Sequence, residues 1–231
     1  MEIIAEIGQN HNGDIKLAKE LIYAAKENGA DVAKFQIFNA KKLFSKQNNP
    51  WYQDNIKAEL KIKDIMELND TCKKVNIEFM ASVFDSKFLK LTEKIKMKRY
   101  KIASRSIHDK NLVKKILSLK KPTIISLGFW NKKKLPFNRN KNQISYLYCV
   151  SKYPTRAKDL SFSKKLFREL DGFSDHTIGI KSTMKAMKLG AKIIEKHFTL
   201  DKKLRGPDHK LSITPKELKI LTKYKSFLKN D

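Results

Sequence analysis

The stretch EIIAEIGQNHNGDIKLAKELIYAAKENGADVAKFQIF, residues 2–38, holds one complete strand–loop–helix–strand unit, and its repetition decides the fold. Glu2–Ile7 is a short apolar run of strand character that ends in the polar turn GQNHNGD. Asp14 stands where a helix needs an N-cap, because its carboxylate can accept from the free amides of the first turn. Beyond it Ile15, Ala18, Ile22 and Ala25 fall on one helical face, and Gly29 supplies the stop. DVAKFQIF (31–38) is a second strand that sets Lys34 and Gln36 among apolar residues.

The same unit recurs along the chain. IEFMASV (77–83), RYKIAS (99–104), PTIISLG (122–128), ISYLYCV (144–150), GFSDHT (172–177) and AKIIEKHF (191–198) read as further strands. DIMELNDTCKK (64–74), SKFLKLTEKIK (86–96) and DKNLVKKILSLK (109–120) read as helices between them, with a loop from the second strand to about Lys61. A last helix starts at TPKE, where Thr214 caps, Pro215 takes the first helical position and Glu217 completes a capping box. Eight strands alternating with helices predict an α/β fold, a (β/α)8 TIM barrel filling residues 1–231 as one domain. One crossover departs: FWNKKKLPFNRNKNQ (129–143), with Pro136 and several asparagines, reads as a loop or degenerate turn in place of the fifth helix.

Hydrophobic residues make up 41% of the chain and aromatics 10%, enough for a packed core and contrary to disorder. No basic start leads into an apolar run, and no apolar run approaches the ~20 residues that span a bilayer, so a cytoplasmic protein without a membrane partner is expected. Cys72 and Cys149 show neither ligand nor redox spacing. The net charge of +26 admits two readings, a polyanion partner such as RNA or lysine-covered solvated faces that attract small anions. Lysines are scattered, and no aromatic-interleaved RNA motif accompanies them, which favours the second reading over nucleic-acid binding.

In such a barrel the chemistry sits at the C-terminal ends of the strands. Those ends present Glu6 and Asn10, Lys34 and Gln36, Ser82, Lys101 and Ser104, Ser126, Tyr153, Ser174 and His176, then Glu195 and His197. Lys34 and Lys101 can be wall residues whose heads reach water, or cations facing an anionic ligand; a lysine within an apolar strand is costly without an anion. Around them the serines would supply hydroxyls to phosphate or carboxylate oxygens. His176 and His197 lie on adjacent predicted strands with Asp175 and Glu195 close by, which allows either hydrogen-bonded structural histidines or a divalent-metal site with Asp175 in a supporting place. His11 is read as a brace of the first loop and His108 as a capping or solvent-facing residue.

Taken in order, AEIGQNHNGD (5–14), GADVAKFQ (29–36), KIAS (101–104), CVSKYPT (149–155), FSDHTIGI (173–180), EKHFTLD (195–201) and GPDHKLSITPKEL (206–218) resemble the N-acetylneuraminate (sialic acid) synthase family. The resemblance spans nearly the whole chain. It implies condensation of phosphoenolpyruvate with N-acetylmannosamine or a related amino-sugar aldehyde to a nonulosonic acid, with release of phosphate. It places Mn2+, or else Mg2+ or Co2+, on His176 and His197. It assigns Lys34, Ser82, Lys101, Ser104, Ser126 and Ser174 to phosphoenolpyruvate, and Gln36, Ser151, Tyr153 and Asp208 to substrate, chiefly the sugar. Glu6, on the sugar side, and Glu195 are the candidate catalytic carboxyls, and a homodimer is implied. Since the chain stops after the last barrel helix, the family's usual C-terminal antifreeze-like domain, with an arginine that reaches the partner subunit's sugar pocket, is expected to be missing. Two rival readings are a Schiff-base aldolase using Lys34 or Lys101, and a basic RNA-binding or partner protein without activity.

Overall fold

The computed structural model describes residues 1–139 and 143–230. Eight parallel strands close into the expected barrel: β1 (Glu2–Gly8), β2 (Val32–Ile37), β3 (Glu78–Val83), β4 (Tyr100–Ile102), β5 (Thr123–Ser126), β6 (Ile144–Cys149), β7 (Gly172–Asp175) and β8 (Ile193–His197). Strand β8 returns to β1, with Glu6 beside His197 in the register.

Alternation along the strands sorts the chain into layers. Ile4, Val32, Met80, Ile124 and Leu147 meet inside the barrel as a small apolar cluster. Two residues further along each of those strands stand Glu6, Lys34, Ser82, Ser126 and Cys149, so the interior turns polar toward the C-terminal end. The opposite strand faces, among them Ile3, Ala5, Phe35, Ala81 and Phe173, form the main core against the helices. At the N-terminal end Arg99 binds Glu78 through Nε (2.7 Å) and Glu2 through Nη1 (2.9 Å), tying the starts of β1 and β3 together.

Gly172 holds the narrowest point of the wall. A Cβ there would stand 1.9 Å from the carbonyl oxygen of Ile193 on β8. Gly172→Ala is therefore expected to cost about 3 kcal/mol, because the clash is with backbone that cannot move without parting β7 from β8. Urea unfolding measures it; a variant as stable as the parent would contradict this packing.

Helix α1 (Ile15–Glu27) follows the expected pattern: the Asp14 carboxylate accepts from the Lys16 and Leu17 amides, and Ala18, Leu21, Ile22 and Ala25 are buried. Gly29 ends the helix region at φ +86°, a conformation that favours glycine. Residues 39–61 differ from the expected loop, since they carry two short helices, α2 (Ala40–Leu43) and α3 (Tyr52–Lys57). The Asn39 side chain caps α2 by accepting from the Lys42 amide at 3.1 Å. Then come α4 (Ile62–Lys74), α5 (Leu89–Lys94), α6 (Lys110–Ser118), the single turn α7 (Leu166–Glu169), α8 (Lys181–Lys188) and α9 (Pro215–Asn230). The capping box before α9 is present, with Glu217 accepting from the Thr214 amide at 2.9 Å. In the fifth crossover residues 127–138 are turns and coil as expected, while 140–142 of that reading lie outside the described residues. No helix among the described residues is long and apolar enough to cross a membrane.

Candidate active site

The strand ends converge on an inner cavity of about 50 Å3 at the C-terminal mouth. Twelve of the fourteen expected site residues line it: Glu6, Lys34, Gln36, Ser82, Lys101, Ser104, Ser126, Tyr153, Ser174, His176, Glu195 and His197. The other two, Ser151 and Asp208, line a larger adjoining cavity of about 650 Å3, and Gln36, Ser104, Tyr153 and His197 border both.

Inward-facing strand positions put two lysines and two carboxyls within one network. Lys34 Nζ lies 2.7 Å from Glu6 Oε2 and 3.5 Å from Glu195 Oε2, and donates to Ser82 Oγ at 3.0 Å. Lys101 Nζ donates to Ser126 Oγ at 2.8 Å and stands 3.6 Å from Glu195 Oε1. Ser174 Oγ donates to Glu195 Oε1 at 2.8 Å, and Gln36 donates to Glu6 Oε1 at 2.9 Å. All four charged side chains are buried. These two carboxyls differ in their surroundings. Burial raises the pKa of Glu6, outweighing Lys34. Burial also opposes ionisation of Glu195, but Lys101 and Lys34 on its two sides hold it at about 2. Lys34 is pulled above its ordinary value: burial works against the charge, yet Glu195 and Glu6 prevail. Lys101 is pushed down by burial. Two buried ammonium groups ringed by hydroxyls have the chemistry to bind a small multiply charged anion, which would replace the internal partners of the lysines.

His176 and His197 meet across β7 and β8 with ring centroids 5.5 Å apart, and the Tyr153 ring lies 4.1 Å from that of His176. His176 Nδ1 faces the Val150 carbonyl at 3.1 Å, and the residue lines the inner cavity. A carbonyl on the far nitrogen is the usual support of a metal-binding imidazole. Burial lowers the pKa of His197 to about 4, so the ring is neutral at pH 7 and keeps its lone pair. Its Nδ1 is buried without a hydrogen-bond partner, 3.7 Å from Asp208 Oδ2. Among the described residues no three His, Cys, Asp or Glu side chains are grouped to hold a metal ion. Two imidazoles alone are an incomplete donor set, so a divalent ion here would need its remaining ligands from substrate or water oxygens.

Asp175 does not take the supporting place beside the two histidine rings that the sequence suggests. Since Ser174 and His176 face inward, Asp175 points outward, where it pairs with Lys196 at 3.1 Å and accepts from the Thr177 amide (2.7 Å) and Thr183 Oγ1 (2.6 Å). It anchors the backbone on either side of His176 and does not touch the ring. Sequence reasoning missed two residues lining the inner cavity, Ala103 and Cys149; Cys149 Sγ lies 3.8 Å from His176 Nδ1 and 3.5 Å from Ser104 Oγ. The larger cavity adds Phe44, Trp51, Asn55, Phe84, Arg105 and Phe129, from segments that carry no motif.

The remaining histidines sit apart from the cavity. His108 is exposed and stacks on Trp130. His209 Nδ1 meets Thr199 Oγ1 at 2.7 Å. His11 braces the first loop as expected, accepting from the Gly13 amide at 3.1 Å, while its Nε2 is buried without a partner. Burial lowers its pKa to about 4. The unfolded chain would take up a proton near pH 6.5 that the folded chain refuses until about pH 4. Stability therefore falls on acidification through that window, by a maximum on the order of 3 kcal/mol for this residue. His11→Asn keeps an acceptor for Gly13 and removes the titration. Urea unfolding at pH 7 and pH 4 should show a smaller acid loss in the variant; an unchanged loss would contradict the assignment.

Comparison with known proteins bears on the family and the fold. The model of the NeuB family matches residues 21–228. The N,N'-diacetyllegionaminic acid synthase of Campylobacter jejuni is 39% identical over 95% of this chain and 73% of its own length. The human N-acetylneuraminate-9-phosphate synthase is 34% identical over 94% of this chain and 67% of its own. A crystal structure of N-acetylneuraminic acid synthetase from Leptospira borgpetersenii, in complex with citrate, superposes with a TM-score of 0.89 at 32% identity, covering 99% of this chain and 83% of that one.

Proposed function

We propose, because the chain belongs to the NeuB family, that this enzyme condenses phosphoenolpyruvate with an amino-sugar aldehyde to give a nonulosonic acid and phosphate. N-acetylmannosamine or a close relative is the acceptor in this reading. The observation that carries it is the pairing of a buried pocket of two lysines and four serines with a larger polar and aromatic cavity, the two sharing Gln36, Ser104, Tyr153 and His197.

Lys34 and Lys101 neutralise the phosphate and carboxylate of phosphoenolpyruvate, and Ser82, Ser104, Ser126 and Ser174 fix those groups by donating to their oxygens. This sets the methylene carbon toward the larger cavity, where Gln36, Ser151, Tyr153 and Asp208 orient the acceptor. His176 and His197 would hold Mn2+, with Mg2+ or Co2+ as substitutes, and the ion would polarise the acceptor carbonyl as a Lewis acid. The methylene carbon forms the new C–C bond with the aldehyde carbon. Glu6, the carboxyl that keeps a proton more readily, supplies it to the carbonyl oxygen as that becomes a hydroxyl. The cation left at C2 is balanced by Glu195 until water adds there. Phosphate then leaves by C–O cleavage and the 2-keto group forms. A cytoplasmic homodimer completes the proposal.

Acceptor-dependent phosphate release tests it: phosphate should appear only when phosphoenolpyruvate, a divalent ion and an amino-sugar aldehyde are all present. Failure across a panel of hexosamine-derived aldehydes would sink the proposal. A Schiff-base aldolase is the second reading, favoured by the burial that lowers the pKa of Lys101. Borohydride with a keto acid would then trap an adduct on that lysine, and activity would survive a chelator.

A further inference from the structure

The two joined cavities differ in how their charged groups are engaged: in the inner one Lys34 and Lys101 face Glu6 and Glu195. Arg105 is the single lysine or arginine among the described residues lining the larger one. Asp208 is the single carboxylate there, so the larger cavity is close to neutral in a protein of net charge +26. Its outer wall is aromatic, built from Phe44, Trp51, Phe84 and Phe129. The Arg105 guanidinium lies over Phe44 at 5.2 Å and Phe84 at 6.0 Å, and its Nη2 donates to the Leu43 carbonyl at 3.1 Å. No carboxylate among the described residues pairs with it. Arg205, which covers Trp51 at 5.8 Å, is engaged by Asp54 at 3.1 Å.

An aromatic wall with one guanidinium edge suits a group that is flat, weakly polar and ends in a hydrogen-bond acceptor, as an acetamido group does. A phosphate monoester carries close to two charges at pH 7 and would face one arginine, with Asp208 in the same cavity. Resting on the condensation proposed above, we infer that Arg105 and this wall select an acceptor uncharged at its far end, an unphosphorylated acetamido sugar whose oxygen accepts from Arg105. Arg105 is thus a specificity-determining residue for the acceptor and has no part in holding phosphoenolpyruvate.

Full-length enzyme with phosphoenolpyruvate and Mn2+ is assayed against N-acetylmannosamine and its 6-phosphate. The free sugar should be used with a kcat/KM about 10-fold or more higher, since losing one charge-assisted contact has about that effect on binding. Arg105→Ala should raise KM for the free sugar by about 10-fold and leave KM for phosphoenolpyruvate unchanged. Preference for the 6-phosphate, or an Arg105→Ala variant altered only toward phosphoenolpyruvate, would overturn the inference. If neither sugar turns over, the condensation fails, and calorimetry of both sugars on the enzyme–phosphoenolpyruvate complex still decides the selectivity. Tighter binding of the free sugar supports it; tighter or equal binding of the ester, or binding of neither, overturns it.

Discussion

Lys34→Met is expected to lower stability by about 3–5 kcal/mol, because it leaves buried carboxyls facing the hole where their cation stood. Glu6 loses a partner at 2.7 Å and keeps only Gln36, while Glu195 keeps Lys101 and Ser174. A second substitution separates the two consequences. Lys34→Met with Glu6→Gln removes the unpaired carboxyl and should recover a good part of the stability measured by urea unfolding. It should not recover affinity for phosphoenolpyruvate, which calorimetry is expected to show reduced about 100-fold in both variants, since the lost group is a buried charge-assisted donor. A single variant that unfolds like the parent and binds phosphoenolpyruvate normally would contradict the role given to Lys34.

His176→Ala and His197→Ala are each expected to remove the response to divalent ions and to lower turnover by about a thousandfold, matching the several kcal/mol that carbonyl polarisation supplies. Direct Mn2+ binding, followed by electron paramagnetic resonance, should weaken in both variants, while phosphoenolpyruvate binding in the absence of metal is largely retained. Chelation of the parent should reproduce the same loss and added Mn2+ should reverse it. A His197→Ala variant that binds Mn2+ as the parent does would remove that residue from the ion site. Among the described residues neither ring shares a hydrogen bond with Lys34 or Lys101, so metal binding and phosphoenolpyruvate binding are read out separately in the two sets of variants.

The barrel was legible because each strand carries its alternation in the sequence. In VAKFQI, Lys34 and Gln36 share a face that cannot be the helix-facing one, and the same parity places Ser82, Ser126, Ser174 and Glu195. Parity also contains the answer about Asp175: a residue between two inward neighbours must face out, and its charge needed a partner there, which Lys196 supplies. Cys149 was missed because its partners come from register. It pairs with Ser174 across β6 and β7, and no sequence spacing carries that contact. The outer cavity was less legible still. Phe44 and Trp51 come from residues 39–61, where the helices are too short to leave a periodic signal, and Arg105 lies in a turn after β4. Such segments are positioned by what they pack on, so their sequence alone did not tell a wall from a surface loop.

Oxygen labelling tests the central claim most directly. Phosphoenolpyruvate carrying 18O in the C–O–P bridge is incubated with the enzyme, Mn2+ and N-acetylmannosamine, and both products are weighed by mass spectrometry. The account predicts one phosphate per nonulosonic acid formed, with the label wholly in the phosphate, because water attacks C2 and the C–O bond breaks. Label retained in the sugar acid, or phosphate released without any acceptor-derived product, would contradict it.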